Sequence, residues 1–125
     1  MRFAIIAATA CTLVLLSHPA HAQAMTLHSF LTKAKALEAR GIFAMGSPDV
    51  ALLSDEMTAV MRDYQADKTA SEKAGRPFVC APQGTKMSRA ELMKAFEAIP
   101  PGERGMSVKA AFYRVARSRW PCPKS

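Results

Sequence analysis

Apolar residues along this chain recur at helical spacing, and no stretch sustains the strict alternation of a strand. Leu27, Phe30, Leu31, Ala34 and Leu37 share one face of a first predicted helix, with Thr26 as its N-cap and Gly41 as its stop. Ser47-Pro48 opens a second, because a cap oxygen is followed by a ring that pre-sets the first helical turn. Val50, Leu53, Met57, Val60, Met61 and Tyr64 are its expected core stripe. The polar stretch 65–74 has good helix formers but few apolar anchors. It either prolongs this helix into solvent or frays, and Gly75 ends it.

Two prolines and a glycine within residues 76–84 favour extended chain or turn. Ser88-Arg89-Ala90-Glu91 has the spacing of a capping box and starts a third helix, with Leu92, Ala95, Phe96 and Ile99 inward and Pro100-Pro101 as its stop. Ser107 caps a fourth, which buries Val108, Ala111, Phe112, Val115 and Ala116 and ends at Trp120-Pro121. The expected fold class is all-α, a small bundle of about four helices. The last two form an antiparallel hairpin.

The segment ahead of these helices reads differently. Arg2 precedes an apolar run over residues 3–16, and Ala20-His21-Ala22 presents small residues at both positions a signal peptidase must fit. The expectation is a cleaved signal peptide, residues 1–22, followed by one domain, residues 23–125, in the periplasm. A cut after Ala24 fits the same rule. The run is short of the ~20 residues that span a bilayer, so a stable membrane anchor is not expected. A lipoprotein reading through Cys11 fails, because the residues before it lack the usual leucine and the apolar run continues past it.

Export decides the cysteine chemistry. Cys11 leaves with the leader, and Cys80 and Cys122 remain as an even pair in an oxidising compartment, most simply one disulfide. It would clip the loop before the third helix to the end of the fourth. A Cys-x-x-Cys redox motif is absent, and a zinc site would have only His28 to add.

Catalytic chemistry has little to work with, and no catalytic residue, metal site or cofactor is assigned. His28 is the one histidine after the leader, and neither a phosphate loop nor a His-Glu-x-x-His run occurs. The methionines read as core filling, since they form no cluster with histidine that would bind copper. A pair of carboxylates distant in sequence is the one enzymatic route left open, and the chain reads as a non-enzyme. Charge is more informative. Residues 23–72 hold five bases and seven acids, whereas residues 73–125 hold eleven bases and three acids. Lys109, Arg114, Arg117 and Arg119 form a candidate basic patch, although cations near a helix C-terminus also offset the macrodipole. Nucleic acid is not an expected partner for an exported chain.

The Cys80-Ala81-Pro82 turn before a capped helix, and the Trp120-Pro121-Cys122-Pro123 ending, resemble the periplasmic immunity proteins of type VI secretion amidase effectors (the Rap/Tai-type group). The resemblance spans residues 26–123 and is strongest over 78–123. Matched positions are the two cysteines, Pro82, the Leu92/Phe96 stripe and Pro121, all structural. It implies an all-helical domain, often a homodimer, that binds a cell-wall amidase and blocks its cleft. The candidate occluding element is the loop Pro100, Pro101, Gly102, Glu103, Arg104 and Gly105, with Glu103 and Arg104 at its tip. Two other roles fit the same composition: a small envelope stress chaperone, and a binding module for anionic envelope components.

Overall fold

The computed structural model describes residues 24–124. The predicted leader, residues 1–22, and the cut before Gln23 lie outside them. Four α-helices follow in order: α1 Leu27–Arg40, α2 Pro48–Lys73, α3 Arg89–Ala98 and α4 Val108–Arg119. Short 3-10 helices, Gly41–Gly46 and Pro101–Glu103, join the first pair and the last. Among the described residues there is no strand, and no helix is long and apolar enough to cross a membrane.

Every predicted start signal is in use. The side chains of Thr26, Ser47, Ser88 and Ser107 each accept a backbone N–H at the N-terminus they precede. Ser88 and Glu91 bond reciprocally, the Ser88 N–H donating to Glu91 Oε2 at 2.8 Å. Gly41 ends α1 at φ 56°, a left-handed conformation that a Cβ would disfavour. α2 runs on through the polar stretch to Lys73, with Lys68 donating to Glu72 one turn later at 2.6 Å.

Two helix starts also satisfy one another. The first N–H groups of a helix have no partner inside it. The Leu27 N–H donates to the Met106 carbonyl at 2.8 Å, and the Val108 N–H donates back to the Met25 carbonyl at 2.9 Å. This isolated antiparallel bridge between Thr26 and Ser107 sets α1 and α4 side by side. His28, exposed on α1, donates its own N–H to the Arg104 carbonyl at 2.9 Å.

The core lies where the four helices and the 76–88 segment meet, and Phe96, Leu27, Val79 and Val108 are its fully buried large side chains. Phe30 meets Phe96 edge-on with centroids 5.9 Å apart, and Tyr64 meets Phe112 the same way at 5.1 Å. All five apolar positions predicted for α4 are buried. The stripe predicted for α2 divides. Leu53, Val60 and Tyr64 are buried, but Val50 and Met61 are 42% and 38% exposed. At roughly 100° per residue the two sets occupy arcs whose centres lie about 70° apart, so the core takes one and leaves the other at its edge.

Cys80 and Cys122 form the disulfide, closing 42 residues with Cα atoms 4.9 Å apart. Beside it the Cys80 N–H donates to the Trp120 carbonyl at 3.0 Å, and Val79 plugs the core. An ion pair from Arg119 to Glu91 brings the end of α4 to the start of α3, as an antiparallel hairpin requires. Replacing both cysteines with alanine is expected to lower the unfolding free energy by about 4 kcal/mol, the chain-entropy value for a loop of this length. Urea midpoints measure this. A loss under ~1 kcal/mol would show that Val79 and the backbone bond hold the segment without the sulfur bridge.

Candidate functional site

The divided stripe of α2 forms one wall of an open groove of about 920 Å³. Val50, Met57 and Met61 face it from α2, Ala34 and Leu37 from α1, and Leu92 and Met93 from α3. Phe30 and Leu53 form part of its floor and belong to the core. Two charged residues, Glu38 near the end of α1 and Arg89 at the start of α3, stand at its margin. The lining is apolar and rich in methionine, whose unbranched, polarisable side chain adapts to irregular shapes.

At one end of the groove the 3-10 helix Gly41–Gly46 turns apolar side chains outward. Ile42, Phe43 and Met45 are 79%, 81% and 83% exposed, while Ala44 between them is buried. With about three residues per 3-10 turn, Ala44 anchors the segment and its neighbours point away. The Ser47 N–H closes the turn by donating to the Ala44 carbonyl at 2.8 Å. The segment lies outside every element that the helical spacing predicts. Its signal is there: three large apolar residues in Gly-Ile-Phe-Ala-Met-Gly, between a helix stop and a helix start, too few for a helix or strand of their own. Large exposed apolar side chains grouped together mark interaction surfaces.

The loop expected to occlude a partner is engaged within the fold. Arg104 is half-buried and donates from Nε to the Ile99 carbonyl and from Nη2 to the Glu97 carbonyl, both at 2.8 Å. These bonds satisfy carbonyls at the end of α3. Glu103 pairs with Arg114 at 3.3 Å. Pro100, Pro101, Gly102 and Gly105 remain exposed.

The predicted basic patch is likewise distributed among partners. Lys109 faces Asp63 at 3.3 Å and Asp67 at 3.6 Å, Arg114 faces Glu103, and Arg119 faces Glu91 at 3.3 Å. Arg117 lies over the Phe78 ring, 5.4 Å from its centroid. Beside Lys109, the Tyr113 hydroxyl donates to Asp67 Oδ2 at 2.6 Å, and the Tyr113 ring stacks on Phe78 at 5.4 Å. That hydroxyl bond above all, with help from Lys109, outweighs the opposing effect of burial and holds the Asp67 carboxyl below the usual carboxylate range. Burial, and then the same bond, pushes the Tyr113 phenol well up. The Ser88 backbone and side chain lower Glu91 in the same sense as Asp67. Among the described residues, no three His, Cys, Asp or Glu side chains gather where they could hold a metal ion.

Compared with protein-family models, with curated proteins and with solved structures, the chain matches none.

Two expectations follow. Serine at Ile42, Phe43 or Met45 is expected to change the unfolding free energy by no more than ~0.5 kcal/mol, whereas Phe96→Ala costs about 3–5 kcal/mol. Denaturation followed by circular dichroism separates these, and a loss above ~1 kcal/mol at Phe43 would make the turn structural. The second concerns acid. Asp67 and Glu91 titrate lower in the folded state than in the unfolded chain, so they contribute stability that is present above about pH 4 and lost as pH falls through their folded values. Asp67→Asn should therefore be less stable than wild type at pH 7 and show a smaller drop between pH 5 and pH 2.

Proposed function

We propose that this chain is a periplasmic inhibitor of the immunity type, which binds a cell-wall amidase effector and covers its substrate cleft. The observation carrying this reading is the outward presentation of Ile42, Phe43 and Met45 on a short turn backed by buried Ala44. An inhibitor that acts by occlusion needs a body that does not deform and an apolar tip that gains by leaving water. The disulfide and the paired starts of α1 and α4 supply the first. The turn supplies the second. Cys80-Ala81-Pro82 and Trp120-Pro121-Cys122-Pro123 connect this arrangement to the resemblance from which the amidase comes.

The contact is assigned to the 41–46 turn, because Glu103 and Arg104 already serve Arg114 and the end of α3. A polyanion-binding role has less support, since three of the four candidate cations stand beside carboxylates. A stress chaperone would also use exposed apolar surface, and a client separates the two readings.

The test is inhibition of a purified cell-wall amidase effector of the type VI secretion kind, with peptidoglycan turnover as the readout. Wild type is expected to inhibit it. Phe43→Asp is expected to weaken binding by about 30-fold, the effect of losing one aromatic anchor. Glu103→Ala should leave affinity within about twofold. Absence of any inhibition, or full inhibition by Phe43→Asp, would reject the reading. Protection of a denatured client at low pH by wild type would favour the chaperone.

A further inference from the structure

We propose that Met57, Met61 and Met93 bind a soft monovalent metal ion, Cu(I) or its analogue Ag(I), through their thioether sulfurs. This site is independent of inhibition through the 41–46 turn.

The methionines do not sit where core filling would put them. The described residues hold seven, and none belongs to the buried core, which is built from Leu, Val, Ile, Phe, Tyr and Ala. This corrects the expectation drawn from the sequence. Met25, Met57, Met87, Met93 and Met106 pack against the core from its edge, and Met45 and Met61 are exposed. Four of the seven, Met45, Met57, Met61 and Met93, line one groove. Leucine would fill the same volume with better-defined rotamers. What leucine lacks is the sulfur.

Helix geometry brings these sulfurs into one neighbourhood. Met57 and Met61 are four residues apart on α2. That places them about 40° apart around the helix and roughly 6 Å apart along it, the spacing at which side chains of one face meet. Met93 reaches the same groove from α3. α2 packs on α1 and α4, and α3 packs on α4 and α1, so the space between α2 and α3 is groove rather than packed interface. Unbranched, freely rotating side chains can turn their sulfurs into that space.

The donor type then selects the ion. A thioether is soft and neutral, which suits Cu(I), whereas Mg(II) and Ca(II) require oxygen and Zn(II) requires thiolate, imidazole or carboxylate. Among the described residues no three His, Cys, Asp or Glu side chains gather, so no harder donor set competes. His28 is exposed on α1 and does not line the groove. Charge also favours a monovalent ion. The cost of withdrawing an ion from water grows with the square of its charge, so Cu(I) meets about a quarter of the penalty of a divalent ion of equal size in an apolar groove. Finally, a thioether has no proton to lose on binding, so affinity should not depend on pH as it does for cysteine or histidine ligands.

Two measurements on the disulfide-bonded exported chain test this. In the first, the chain competes with bicinchoninate for Cu(I), with ascorbate holding the copper monovalent. Wild type is expected to take up one Cu(I) with a Kd of about 10 µM or tighter, and Met57→Leu and Met61→Leu should each weaken it by at least about tenfold. Met25→Leu and Met106→Leu, outside the groove, should stay within about twofold. These exchanges conserve volume, and an unchanged circular dichroism spectrum checks the fold of each variant. The second measurement needs no variant. In spectra of 13C-methyl-labelled methionine, Ag(I) should shift the ε-methyl signals of Met57, Met61 and Met93, leave Met25, Met87 and Met106 in place, and do so equally at about pH 7 and pH 5.5. No uptake of Cu(I) at about 100 µM, unchanged affinity in both α2 variants, or silver shifts at Met25, Met87 and Met106 instead overturns the proposal. Silver binding that collapses on acidification overturns it too, because the ligand is then His28.

Discussion

The paired N–H donors of Leu27 and Val108 are the constraint on which the arrangement depends. A helix start buried in a core must place its unpaired amides somewhere. Here each of two starts uses the carbonyl just ahead of the other's cap, so α1 and α4 are set in register by hydrogen bonds between residues distant in sequence. The 100–106 connection is drawn into that arrangement, since the Arg104 and Met106 carbonyls accept from α1. A loop whose side chains are largely exposed is thereby tied to the fold through its backbone.

Once α1 and α4 are fixed, α2 and α3 must share what apolar surface remains. α2 meets the core along one edge of its stripe, with Leu53, Val60 and Tyr64, and the disulfide holds Val79 and Phe78 against its middle. Its other edge is not closed off by α1 and α3, and the groove is the gap left between the three. Groove and outward turn are therefore consequences of how four helices of unequal length close on a core set by α1 and α4.

Much of the fold was legible in the chain. The four N-caps, the capping box, the glycine stop of α1 and the α4 stripe are local signals, decided within a few residues, and all take the predicted form. The disulfide was expected from the two cysteines that remain once the expected leader, with Cys11, is set aside. The candidate surface was less legible. Residues 100–105 and the α4 cations look available in sequence, because sequence shows each charge without its partner. Arg114 with Glu103 and Lys109 with Asp63 are separated by 11 and 46 residues.

Sequence by itself determined which segments are helical and where each begins and ends, because capping, periodicity and chain punctuation act over one or two turns. The tertiary structure alone decided which face of α2 is core and which is groove, that Ile42, Phe43 and Met45 are exposed, and that Glu38 and Arg89 line that same groove. A helical stripe states only that a side chain is apolar. Whether it meets another helix or water depends on the packing of elements far away in the chain.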